Sequence, residues 1–178
     1  LDFSTLRAAR GTYGAVQGDV PAGVVVTDLR TAVREHGDIV RKHLYSAVRA
    51  GEWKFLALNA ALWSDGCFVH VPANTEVALP LTWLTRYAGA EAAFATRTLI
   101  VAGTNSRVTF IDDVTSPDGE RALIAGAVEI IAGDGAKVAY YNVNRLGDAA
   151  LNFTTVRAIL VRVAEFTAFP AGIVSKLT

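Results

Sequence analysis

The chain has 178 residues, 52% hydrophobic and 19% charged, a composition that suits a folded domain with a real core and argues against wholesale disorder. Seventeen basic residues balance seventeen acidic ones, so there is no basic footprint for nucleic acid, and no stretch approaches the roughly 20 continuous apolar residues of a membrane span. A single cysteine, Cys67, excludes an internal disulfide framework and fits a reducing compartment, so a cytoplasmic location is expected.

In chain order, the opening LDFSTLRAAR mixes charge and polarity without the apolar run of a signal peptide. Leu1, Phe3 and Leu6 fit neither a helical nor a strand period, so residues 1–20 read as a loosely ordered lead-in to Pro21. Gly23-Val24-Val25-Val26 is a β-branched run suited to a short strand. Thr27 or Asp28 can then accept a hydrogen bond from the first free amides of a helix that carries Leu29, Ala32 and Val33. Gly37 is expected to stop that helix and Asp38 to cap a second, along which Ile39, Val40, His43, Leu44 and Val48 keep the helical period. From Trp53 to Trp63 the run WKFLALNAALW is apolar on nearly all sides, which predicts a buried helix.

At Ser64-Asp65-Gly66 the pattern changes to short strands rich in Val, Ile, Thr and Phe, broken by Gly, Asn, Asp and Pro. Two parts follow: residues 1–66, a lead-in and helical segment, and residues 67–178, a strand-rich core, which the family resemblance given below implies is an incomplete β-helix. Phe68-Val-His-Val-Pro-Ala-Asn-Thr-Glu-Val77 has the plan strand, small-polar corner, strand; residues 99–108 and 129–138 repeat it. The closing valines Val77, Val108 and Val138 are 31 and then 30 residues apart, and residues 157–166, ending on Phe166, form a degenerate copy without the glycine corner. A fixed period of this size marks a stacked solenoid, in which each unit buries its inward side chains against its neighbours. A β-sandwich of hairpins is the alternative, since AGDGA is also a good hairpin turn.

The segments TDLRTAVREHGDIVRKHL and KFLALNAALWSDGCFVHVP resemble the entry to the core of the SufB/SufD family of iron–sulfur cluster assembly proteins. RTLIVAGTNSRVTFIDDVTSPD, AGAVEIIAGDGAKVAYYNVNRLG, LNFTTVRA and SKLT resemble its successive turns, and VTSPD is more similar to the SufD branch. The resemblance implies a right-handed parallel β-helix preceded by a short α-helical segment. It further implies a non-enzymatic scaffold subunit of the SUF system, acting with SufB-like and SufC-like proteins, with SufC as the ATPase. Family members are longer, so the chain is expected to be the N-terminal part of the core, with the C-terminal part missing. The residues implicated in cluster assembly lie later in the family's solenoid. No catalytic, cofactor-binding or metal-binding residue is therefore carried over, and no cofactor is expected to be bound by this stretch alone.

Several residues invite a chemical role. Thiolate is the natural ligand of an iron–sulfur cluster, but a lone Cys67 opening a strand beside Phe68 reads as a buried small hydrophobe. His70 reads as a packed imidazole, and His36 and His43, two helical turns apart across Gly37-Asp38, lack close-spaced His or Cys partners. Asp112, Asp113 and Asp118 could form the acidic centre of a polysaccharide-active solenoid, the alternative function, although Thr115–Gly119 carries ordinary turn chemistry. Gly133-Asp134-Gly135 lacks the Lys-Ser/Thr pair of a phosphate loop. A plain protein-binding solenoid module is the third possibility. Phe166, Phe169, Ile173 and Leu177 mark an exposed solenoid end through which homo-oligomers are expected.

Overall fold

The computed structural model describes residues 5–16, 20–64 and 66–172. Strands β4 (Cys67–Val71), β6 (Ala92–Ala102), β8 (Ala122–Ala132) and β10 (Ala150–Leu160) alternate along the chain with β5 (Leu81–Arg86), β7 (Arg107–Thr115), β9 (Lys137–Arg145) and β11 (Glu165–Gly172). None of these eight strands pairs with its successor. Each lies parallel to the strand one full turn later, so the even-numbered strands form one sheet and the odd-numbered ones a second. This is a parallel β-solenoid of about four turns, and the hairpin sandwich is excluded. The repeat sets the register. Val108 stands beside Val138 and Val138 beside Phe166, while Ile100, Ile130 and Ala158 form one row across the other sheet.

The same corner recurs in every turn. Asn74, Asn105, Gly135 and Val163 all have φ between 52° and 67°, the left-handed region. Asparagine tolerates that conformation, and the Asn105 amide donates to the Asn74 Oδ1 at 3.2 Å, one turn below. At Gly135 a Cβ would also come within 2.4 Å of the Asn105 Oδ1, so both backbone and space call for glycine.

Inward-facing side chains of both sheets, Val69, Ile100, Val108, Phe110, Ile130 and Val138 among them, fill the main core. The helical segment lies on the outer face of the even-numbered sheet. There Leu29, Ala32 and Val40 of helices α1 (Leu29–Glu35) and α2 (Gly37–His43) cover Phe68, Leu99 and Ile131. Strand β3 (Val25–Asp28) runs antiparallel along β4, and the Asp28 carboxylate caps α1 by accepting from the Thr31 N–H at 2.9 Å.

Three local expectations are corrected. The lead-in contains two strands, β1 (Arg7–Ala9) and β2 (Thr12–Val16), which pair with β6 and β5 because those strands otherwise leave edges uncovered; Leu1 and Phe3 lie outside the described residues. Gly37 does not terminate the first helix but begins the second, with His36 as the shared cap and no side-chain bond from it. Helix α3 (Lys54–Leu62) is buried on one face only, through Phe55, Leu56 and Asn59, while Trp53 and Leu62 stay exposed because a single sheet underlies it. No helix among the described residues is long and apolar enough to cross a membrane.

Candidate functional site

Three features of the described solenoid stand out: a polar band in its lumen, a buried charged network beneath the helices, and last strands to which no further described strand is paired. The band arises because strand alternation turns Trp83, Asp112 and Asn142 of one sheet inward in a single row, opposite the row Thr96, Gly126 and Thr154 of the other. It separates the main apolar core from a smaller cluster around Tyr87, Phe94 and Ile124. Asp112 is 8% exposed, and its Oδ2 accepts from the Tyr140 hydroxyl at 2.8 Å. Burial pushes its carboxyl up to about 6 against that hydrogen bond, and the neighbouring Asp113 charge adds to the rise. Beside Asp112 lies a cavity of about 30 Å³, lined also by Thr85, Thr98 and Asn152, large enough for a water-sized occupant.

Beneath the helices, Arg97 of β6 and Glu129 of β8 are both wholly buried and meet at 2.8 Å. Every side-chain nitrogen and oxygen of this network has a hydrogen-bond partner. Glu129 accepts two bonds from Arg97 and three from the N–H groups of Tyr45, Ala47 and Val48. Arg97 also donates to the Asn59 Oδ1 and the Val48 carbonyl, and its guanidinium stacks over the Tyr45 ring at 4.0 Å. Asn59 in turn donates to the carbonyls of Thr96 and Ala125 at 2.7 and 2.8 Å, fastening α3 to the sheet. Tyr45 holds φ 66°, a strained conformation for an aromatic residue, kept by this network. Sequence reasoning missed Arg97, Glu129 and Asn59. The available signal was a pair of opposite charges in the strand runs RTLIV and VEIIA of successive repeats, each leading into an apolar stretch.

The two ends of the solenoid differ. One is closed by the antiparallel strands β2 and β3. At the other, no strand among the described residues pairs with the outer edges of β10 and β11, and Ile159, Leu160, Val161 and Phe169 are exposed there. Phe166 is half-buried on the core, Phe169 stacks on Tyr141 at 4.9 Å, and Ile173 and Leu177 lie outside the described residues.

The remaining sequence candidates fall apart as a chemical site. Cys67 is fully buried in the main core, and burial, then the Asp112 charge, holds its thiol well above the usual range. His36 stacks on Phe68 at 5.9 Å. Burial lowers His70 and His43 below the ordinary imidazole value, with smaller contributions from His36 on His70 and from Lys42 and then His70 on His43. Asp112 faces the lumen, Asp113 is clamped by Arg145 at 2.6–3.0 Å, and Asp118 is exposed in a turn, so the three carboxylates form no common acidic centre. In the Gly133-Asp134-Gly135 corner, Asp134 pairs with Arg162 at 3.4 Å, and its Oδ1 is buried without a partner. Among the described residues, no three His, Cys, Asp or Glu side chains are grouped to hold a metal ion.

A family model described as the SufBD core domain of SUF-system iron–sulfur cluster assembly matches residues 85–178, and one for the SufBD protein N-terminal region matches residues 11–82. The chain is 34% identical over 137 residues to the iron–sulfur cluster assembly protein SufD of Bacillus subtilis, covering 76% of this chain and 31% of that protein. It is 34% identical over 146 residues to a SufBD family protein of Pyropia yezoensis, covering 78% and 30% respectively. A chloroplastic SufBD family protein of Arabidopsis thaliana is 33% identical over 146 residues, covering 78% and 26%. The chain thus spans roughly a third of the length of these curated relatives.

Proposed function

The chain belongs to the SufBD family of the SUF iron–sulfur cluster assembly system, and from that premise we propose that it serves as a SufD-like scaffold subunit that works through protein partners rather than through catalysis of its own. The observation that carries this reading is the use of its polar chemistry. The buried Arg97–Glu129 pair, with Asn59, is spent on fastening helices to the solenoid, and Asp112, Asp113 and Asp118 do not converge. What the described residues offer instead is a parallel stack whose last strands, β10 and β11, have no further strand paired to them, edges suited to strand addition by another chain.

The partners of this reading are a SufB-like protein and a SufC-like ATPase in the cytoplasm, with the iron–sulfur cluster as cargo. The match to a SufD and the VTSPD turn at 114–118 support the SufD branch. Co-expression with the SufB-like and SufC-like proteins of the same organism tests it. A complex that survives purification at micromolar concentration is the expected result, and deletion of the gene should lower iron–sulfur enzyme activities. A protein that co-purifies with neither partner, and whose loss leaves those activities intact, contradicts the proposal.

A further inference from the structure

The polar band inside the solenoid contains a charge that no cationic side chain beside it balances. Asp112 is more than nine-tenths buried and faces the cavity, and the Tyr140 hydroxyl satisfies one carboxylate oxygen without neutralising it. No Lys, Arg or His lines that cavity. Thr85, Thr96, Thr98, Asn142 and Asn152 bring hydroxyl and amide carbonyl oxygens, the hard donors that suit alkali and alkaline-earth ions. A carboxylate in such a low-dielectric place requires either a proton or a counter-ion. A single carboxylate falls short of the negative charge that divalent sites gather, and the cavity of about 30 Å³ suits one small ion with little water.

A second cavity of about 320 Å³ between β9, β10 and β11 shares Asn142, Asn152 and Thr154 with the first. Gly126 keeps the inner space open, since a Cβ there would stand 2.3 Å from the Thr154 hydroxyl oxygen. We propose that the lumenal band is a binding site for a monovalent alkali cation, held against the Asp112 carboxylate by threonine and asparagine oxygens.

Thermal unfolding of the purified protein at pH 8 tests this, in choline, sodium and potassium chloride at a fixed ionic strength of about 0.15 M. The expected result is a Tm about 3 °C higher in sodium or potassium than in choline, with the difference abolished in Asp112→Asn. Equal Tm values in all three salts, or a cation effect that survives in Asp112→Asn, overturn the proposal. If Asp112→Asn does not fold, crystals of the unaltered protein soaked in thallium(I) decide the matter. An anomalous peak within coordination distance of Asp112 supports the site, and a lumen without one refutes it.

Discussion

At the scale of single residues, the structure assigns its two buried acids opposite roles. Glu129 accepts five hydrogen bonds, two of them from the buried Arg97, so its charge is compensated. Removing one partner of such a pair strands the other, and Glu129→Ala is expected to cost about 3–5 kcal/mol in urea unfolding, with Arg97→Ala similar. A loss below about 1 kcal/mol would show that the network does not hold the helices to the sheet. Asp112 has one donor and a folded-state value pushed up to about 6 from the ordinary 3.8. Below the lower value both states are protonated and nothing is lost. Between the two, the unfolded chain ionises first, so stability falls as pH rises, and above about 6 the loss levels off near 3 kcal/mol. With choline as the only cation, Asp112→Asn should therefore gain about 3 kcal/mol on the unaltered protein between pH 4 and pH 8. A gap that stays constant with pH contradicts that assignment.

At the scale of elements, the corner is where sequence and structure agree most closely, and where one residue breaks the rule. Val77, Val108 and Val138 reveal the period because each follows a corner whose geometry admits few residue types, and Asn74, Asn105 and Gly135 obey it. Val163 does not: a β-branched residue at φ 52°, 77% exposed, with little packing to compensate. Val163→Gly or Val163→Asn is expected to stabilise the last turn by about 1 kcal/mol, seen as a higher urea midpoint with an unchanged slope. An unchanged or lower midpoint would show that Val163 makes contacts worth the strain. The less legible elements have a common cause. β1 and β2 are short, and form because β6 and β5 present edges to them, a tertiary fact with no local signature. Helix α3 carries Asn59 in an apolar run, and only the sheet beneath shows that this amide is one of its buried contacts while Leu62 is not. The lumenal band was hidden for a similar reason. Asp112 and Asp113 look alike in sequence, and only the pleat sends one to the lumen and the other to Arg145.

At the scale of the whole molecule, the two ends of the described solenoid differ in how far their strand edges are covered. A solenoid turn leaves its outer backbone N–H and C=O groups unpaired, and the antiparallel β2 and β3 satisfy that need at the first turn. The β10–β11 end has no such cover among the described residues, and the apolar run Ile159, Leu160 and Val161 is exposed along its edge. Arg157 and Arg162 flank that run, each paired with an acid, Glu52 and Asp134 respectively, so they offer little net repulsion to an approaching strand. The chain studied alone should then self-associate at tens of micromolar, the range of weak strand-edge contacts. Placing unpaired positive charge on the edge, as Ile159→Lys with Val161→Lys, should return it to a monomer in light scattering while leaving its circular dichroism unchanged, because neither side chain lies in the core. Association that persists in the double variant would move the interface elsewhere, with the groove between Ser46–Glu52 and β10 the next surface to alter. A clean monomer of the unaltered chain at that concentration would instead show that residues beyond the described edge, or the exposed charges at its margins, already protect it.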